Sequence, residues 1–451
     1  MKTRYERPII IKNVGGYANK FAFSSKMEVM DHIGGIAVSD LVAQFGSPLF
    51  VFSETIMRQH YRRFVDAFKN FYPKVQLAWS YKTNYLRAIC AIYHQEGSIA
   101  EVVSDFEYEK AKKLGIEPAD IIYNGPLKEF DSLKKACTEG AMIHIDNFEE
   151  LANLEKIHDT YTLRPRVGVR LNMNTGIYPA WSRFGFNLEN GEADLCIRRI
   201  LKTNKMDLIG LHTHIGTFIL SPEAYAQAVK KMAELYLKIE REFGITLQYL
   251  DLGGGFPSQN KLKAQYLPNA VAIPPIEQYA QKITEMLLAH FAPDTGPKIY
   301  LEAGRALVDE AGYLITTVHA THRLPDNRRA LVIDAGLNLL FTATYYDLHF
   351  YATQPYYSTP ENTVVYGPLC MNIDVVREAI PLPHINIGEK LVIHPVGAYN
   401  VTQWMQFIRT RPAIVLVSKD KNIHLIRRAE TLEDIEALET LPEEYRLIEE
   451  E

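Results

Sequence analysis

From residue 54 to about residue 308 the chain alternates two patterns of apolar positions. One returns every three to four residues, as in "ETIMRQHYRRFVDAFKNF", and predicts an amphipathic helix. The other is a short unbroken apolar run and predicts a buried strand; the runs are "VQLAWSYK", "SIAEVVS", "DIIYNGP", "MIHIDN", "RVGVRLNM", "LIGLHTHIG", "YLDLGGG" and "KIYLEAG". Helical patterns separate them, among them "NYLRAICAIYHQ", "FEYEKAKKLG", "EFDSLKKACTEG", "FEELANLEKIH", "EAYAQAVKKMAELYLKIEREFG" and "IEQYAQKITEMLLAHF". Eight strands in βα alternation over roughly 250 residues have the size and pattern of a (β/α)8 TIM barrel. An open doubly wound sheet shares the local pattern, and the count of eight favours the barrel.

After "EAGRALV" the period changes. "YLITTVHATHRL", "RALVIDAG", "NTVVYG", "KLVIHPVG" and "PAIVLVSK" are β-rich runs with Pro, Asn, Asp and Gly between them. The expected organisation is a barrel at residues 46–308 and a mainly β C-terminal domain at 309–451. The first 45 residues carry the β-like pieces "PIIIKN" and "KFAFS" and are expected to join the β domain. The acidic end, "LPEEYRLIEEE", reads as a solvated tail or terminal helix.

Composition narrows the classes. The net charge of -5 and dispersed basic residues argue against a nucleic-acid partner, which needs a basic footprint. No apolar run approaches the ~20 residues of a membrane span, and the N-terminus lacks the apolar core of a signal peptide. Cys90, Cys137, Cys196 and Cys370 are widely spaced, so neither a disulfide framework nor a zinc site is expected, and a cytoplasmic location is.

In a TIM barrel chemistry gathers at the C-terminal strand ends. Those ends carry Lys82 on the first strand and His214 on the sixth. The seventh ends in Gly253, Gly254 and Gly255, and the eighth in Glu302, Gly304 and Arg305. His212 and His214 lie two apart and could face one way as a metal pair. No third histidine is near in sequence, and no metal centre is expected. "LDLGGGFP" reads either as a strand-to-helix turn relieved by glycine or as a phosphate cradle of backbone N–H groups at a helix N-terminus. One ligand uses all of these groups together: pyridoxal 5'-phosphate. Its aldehyde takes a lysine amine as a Schiff base, its phosphate the glycine turn, its ring a stacking histidine and its ring nitrogen a carboxylate.

On these residues the chain resembles the fold-type III pyridoxal-phosphate decarboxylases, the group acting on diaminopimelate, ornithine and arginine. "YKTN", "HTHIGTF", "DLGGGFP", "EAGR" (alanine replacing the group's proline), "GPLCMNID" and "GAY" match that group's motifs, with "AEVVSDFE" and "SRFGF" in support. The resemblance implies an alanine racemase-like barrel with a β domain. It implies Lys82 as the cofactor lysine, His214 against the ring and Glu302 at the ring nitrogen. Thr217, Gly255, Arg305 and Tyr399 would lie at the phosphate, and Cys370 would protonate the product from the partner subunit of an obligate homodimer. Glu302 also favours decarboxylation over the racemase branch, where an arginine meets the ring nitrogen.

For the substrate the resemblance implies Tyr346, Asp347, Thr342, Met371 and Asp374. In the diaminopimelate enzymes a glutamate stands where this chain has Met371, and an arginine that grips the distal carboxylate stands at Thr342. Met371 cannot make the charge-assisted bond of that glutamate. The ornithine type has an aspartate at Met371, while Asp347 matches its other amine-reading aspartate. The expected substrate is therefore a diamino or conjugated amino acid, as in siderophore or other secondary metabolism. The alternatives are diaminopimelate decarboxylation in lysine biosynthesis, and a non-catalytic pyridoxal-phosphate-binding relative, against which Lys82, Cys370 and the β domain speak.

Overall fold

The computed structural model describes residues 27–446. The β-like pieces "PIIIKN" and "KFAFS" and the last residues of the acidic tail lie outside that range. The strands Val75–Ser80, Ile99–Val102, Ile121–Tyr123, Met142–Ile145, Arg166–Asn172, Asp207–Thr213, Tyr249–Asp251 and Lys298–Leu301 pair in that order, all parallel. The eighth pairs back onto the first and closes the barrel. Phe186–Asn187 adds a short parallel strand beside the end of the fifth, and helix Glu192–Thr203 fills the step from fifth to sixth.

The barrel interior is built in two layers. Ala78, Ile122, Met142, Tyr249 and Tyr300 form a buried apolar layer, with Ile99 against it. Glycines at 168 and 210 leave room for the Tyr249 ring: a Cβ at Gly210 would meet it at 2.3 Å, and one at Gly168 would meet its hydroxyl at 2.5 Å. Side chains two apart on a strand share a face. Two residues beyond each of these positions stand Ser80, Glu101, Asn124, His144, Arg170, His212, Asp251 and Glu302, all buried. The upper layer of the core is thus polar, and it lies under the barrel mouth.

The β domain centres on the long strand Gly312–Arg323. It pairs antiparallel with Leu49–Ser53, Lys390–His394 and Arg329–Ile333. Leu49–Ser53 also pairs parallel with Ile414–Val417, so this early segment is a β-domain strand before the chain enters the barrel. Ser53 then caps helix Glu54–Lys69, its side chain accepting from the Ile56 N–H. Arg329–Ile333, Glu361–Tyr366 and Val375–Leu382 extend the sheet on the other side. Val375–Leu382 mixes buried and exposed positions and Ile423–Arg427 has no fully buried residue, so neither carries an unbroken apolar run. Among the described residues no helix is long and apolar enough to cross a membrane.

Candidate active site at the barrel mouth

The first barrel strand stops at Ser80, and Lys82 sits in a single 3-10 turn, Tyr81–Thr83, rather than in the strand. The β domain closes that turn from outside. Tyr399 N–H donates to the Thr83 carbonyl (2.9 Å), the Thr402 hydroxyl to the Lys82 carbonyl (2.9 Å), and the Asn84 amide to the Gly397 carbonyl (3.2 Å). Lys82 Nζ donates to both oxygens of Glu101, at 2.8 and 2.6 Å. Burial alone would push the Lys82 ammonium down, but the facing Glu101, Glu302 and Tyr399 outweigh it and hold it above the ordinary lysine range.

A cavity of about 480 Å³ opens above this turn, between barrel mouth and β domain. Of the residues expected from sequence, it is lined by Lys82, His214, Thr217, Gly254, Gly255, Glu302, Gly304, Arg305, Tyr346 and Tyr399. Burial, with Arg170 and Lys82 nearby, drives the His214 ring down to about 3, so the ring is neutral. Arg305 is buried, and its Nη1 has no hydrogen-bond partner. Aromatic rings surround the guanidinium, Tyr399 at 4.7 Å, Tyr346 at 5.3 Å and Phe218 at 5.7 Å. Tyr399 (φ 64°) and Phe218 (φ 54°) both hold the left-handed backbone region that side chains disfavour, a strain that gathers at functional sites.

The glycine run departs from expectation. No helix starts there: after Gly255 the chain runs as a loop to Asn269–Ala272. Gly253 N–H is taken by Asp251 Oδ1 (2.9 Å) and Gly254 N–H by His214 Nδ1 (3.0 Å). Gly255 N–H makes no hydrogen bond among the described residues. What these positions require is close approach, since a Cβ on Gly255 would meet the Gly216 carbonyl oxygen at 2.3 Å and one on Gly254 the Glu302 carbonyl oxygen at 2.5 Å. The loop therefore aims His214 and offers one N–H, not three, to a phosphate.

Four expected substrate residues and the expected acid lie off the cavity within one chain. Thr342 is buried, and both its hydroxyl and its N–H donate to Asn400 Oδ1 (2.9 and 3.1 Å). Asp374, expected at the substrate, has its buried carboxylate engaged within one chain by the Leu337 and Leu369 N–H groups (2.7 and 2.8 Å), bonds that shape two loops. Asp347 faces Arg377 at 3.9 Å. Cys370 is exposed, beside half-buried Met371, in the turn between Glu361–Tyr366 and Val375–Leu382.

Sequence reasoning missed the polar layer itself. Ser80 Oγ donates to Glu101 Oε2 (2.5 Å), and the Asn124 amide donates to Glu101 Oε1 (3.0 Å) and Glu302 Oε1 (2.5 Å). His144, His212 and Glu302 come within 4.8 Å of one another, a spacing a metal ion could use. Both His144 nitrogens are engaged, however, by Asn124 Oδ1 (2.6 Å) and the Tyr249 hydroxyl (2.8 Å), so the cluster works as a hydrogen-bond network. Trp181 also lines the cavity, 5.3 Å from the His214 ring.

A cavity at the C-terminal mouth of a TIM barrel, with lysine, carboxylate, ring and arginine converging under a β domain, defines a pyridoxal-phosphate enzyme of the barrel type. Residues 56–309 match the family described as pyridoxal-dependent decarboxylase, pyridoxal binding domain, and the chain belongs to that family. It is 30% identical over 415 residues to the diaminopimelate decarboxylase of Methanothermobacter thermautotrophicus, covering 89% of this chain and 94% of that one. It is also similar to the crystal structure of diaminopimelate decarboxylase from Methanocaldococcus jannaschii (28% identity, TM-score 0.84, 93% and 98% of the two chains). A third likeness is to the Helicobacter pylori enzyme complexed with L-lysine (26% identity, TM-score 0.79, 89% and 98%). The chain is a pyridoxal-phosphate-dependent carboxy-lyase of amino acids. The relatives' names support diaminopimelate decarboxylation over the secondary-metabolism substrate expected from sequence.

The residues present fit the cofactor. Arg305 carries a buried, unpartnered N–H for a phosphate dianion, and Lys82 and Glu302 line the same cavity.

Proposed function

We propose that this chain removes the α-carboxylate of a diaminopimelate-like amino acid. The observation that carries the reading is the convergence of Lys82, His214, Glu302 and Arg305 on one cavity. Pyridoxal 5'-phosphate, when bound, supplies the electron sink for the pair left by the departing carboxylate. The chain's own residues do the rest. Arg305 and the Gly255 N–H bind the phosphate, and Arg305 is already desolvated, which strengthens its charge-assisted bonds. Glu302, buried beneath the mouth, keeps a proton on the ring nitrogen. The neutral His214 ring covers one face, its tilt fixed by the Gly254 N–H. Lys82 would hold the cofactor through its aldehyde, and Glu101, which accepts two bonds from Nζ, would hold the proton there until the amine is needed. A homodimer belongs to the proposal, because exposed Cys370 lies off its own chain's cavity and would reach that of a second copy to protonate the product. A cytoplasmic location goes with four free cysteines.

One observation favours a second reading, an amino acid with an uncharged or conjugated far end. Among the described residues Lys82 and Arg305 are the only Lys or Arg side chains lining the cavity, and Thr342 is spent on Asn400, so among them nothing cationic remains for a distal carboxylate. The test is carbon dioxide release from meso-diaminopimelate, both enantiomers of lysine and ornithine, arginine and N-acylated diamino acids. Release from diaminopimelate is expected. Turnover of another member with none from diaminopimelate would replace the first reading by the second.

A further inference from the structure

Glu101, which holds Lys82, and Glu302, which lines the cavity, are touched by one and the same side chain. The two N–H groups of Asn124 face two carboxylate oxygens, Glu101 Oε1 and Glu302 Oε1. Carboxylates accept, so the amide nitrogen must lie on that side and Oδ1 on the other. Oδ1 meets His144 Nδ1 at 2.6 Å, which therefore carries the proton. Nε2 is then an acceptor, and the Tyr249 hydroxyl donates to it at 2.8 Å. Burial, with His212 stacked at 4.5 Å, keeps the His144 ring well below the ordinary histidine range and thus neutral. The chain of donors runs one way, from Tyr249 through His144 and Asn124 to the two glutamates, and it admits a single orientation of the amide.

We infer that Asn124 is a positioning residue for the decarboxylation proposed above: its amide ties Glu101 beneath the lysine to Glu302 beneath the ring nitrogen, and His144 and Tyr249 aim it. All five side chains are buried. Other charges face this pair. Lys82 and Ser80 meet Glu101 directly, and Glu107 lies behind it. His212 approaches Glu302 at 3.5 Å, and the Asp251 carboxyl, pushed well above the ordinary range by burial and by Glu302, faces it too. Arg170 and Lys128 lie toward the two histidines. Asn124 is the group that bonds to both carboxylates, and without it each loses a donor that no solvent replaces.

The test is thermal unfolding of the cofactor-free protein, Asn124→Ala against parent, from about pH 5 to about pH 8. A buried carboxylate that lacks a donor costs stability only while it is charged, so the variant's deficit in Tm is expected to widen as pH rises, by about 2 °C. Lost packing alone gives a gap that does not change with pH, and a constant gap overturns the inference. In a Glu302→Gln background the widening should shrink, because one carboxylate is gone; undiminished widening also overturns it. If Asn124→Ala does not fold, Asn124→Ser decides by the same criterion. The second readout is the dissociation constant for pyridoxal 5'-phosphate, expected to rise about tenfold in the variant. Unchanged affinity beside a widening gap overturns the positioning role. A parent that takes up no cofactor sinks the cofactor reading instead, and the unfolding profile still decides the tie.

Discussion

The ammonium of Lys82 lies 2.6 and 2.8 Å from the two carboxylate oxygens of Glu101, a side chain with no exposed surface. An amine held as an ammonium does not attack an aldehyde, so this pair stores the lysine in its unreactive form. Glu101→Gln should release it. We expect faster uptake of free pyridoxal 5'-phosphate at pH 7, by about tenfold for each pKa unit the ammonium falls, read from the growth of visible absorbance. Borohydride treatment should leave the cofactor's mass on the Lys82 peptide and nowhere else, and Lys82→Ala should carry none. A labelled peptide from another part of the chain would overturn the lysine assignment.

Arg305 offers a sharper separation of cofactor contacts. Its unpartnered Nη1 meets the phosphate in our reading, so Arg305→Ala should weaken pyridoxal 5'-phosphate binding by about 10- to 100-fold, the range of a lost charge-assisted bond. Pyridoxal, which has no phosphate, should bind parent and variant alike. Equal losses for both ligands would place the arginine's role elsewhere.

Glu107 gives a pH dependence outside the cavity. Burial, with Glu101 nearby, pushes its carboxyl up to about 7 against an ordinary 4.5, despite the Val103 N–H it accepts at 2.8 Å. A raised acid binds its proton more tightly folded than unfolded. Its contribution is therefore fully present below about 4.5 and is lost as pH rises through about 7. Glu107→Gln imitates the protonated acid and keeps the Val103 contact. It should match the parent near pH 4 and exceed it above pH 8, by ~3 kcal/mol at most, in denaturant unfolding at the two pH values.

A shared site makes a prediction about mixtures. Lys82→Ala and Cys370→Ala should each be nearly inactive alone. Mixed and reassembled in equal amounts they should recover up to roughly a quarter of parental activity, since half the dimers are mixed and each mixed dimer has one intact site. No recovery, with subunit exchange verified by mass spectrometry, would mean that Cys370 serves its own chain or none.

The barrel strands and the mouth residues Lys82, His214, Glu302 and Arg305 were legible because strand periodicity and strand ends fix them. Asn124 and His144 obey the same rule one step lower. Each stands two positions beyond a buried apolar residue, Ile122 and Met142, as Glu302 stands beyond Tyr300. Reading only the chemistry at the strand tips passes over them. The glycine loop misled for another reason: three N–H groups in sequence look like a cradle, but two are consumed by Asp251 and His214, which sequence order cannot show. Asp374 was illegible in the same sense. Its donors, Leu337 and Leu369, come from separate loops, and one is 37 positions away.

The three hydrogen bonds that fasten the Lys82 turn to the 397–402 segment join two events that otherwise look independent. Docking of the β domain and presentation of the lysine become a single equilibrium with one coupling energy. Coupling is reciprocal. A ligand held by Lys82 therefore braces the seam between the domains, and a substitution far out on that seam, touching no ligand, loosens the lysine's grip by the same factor.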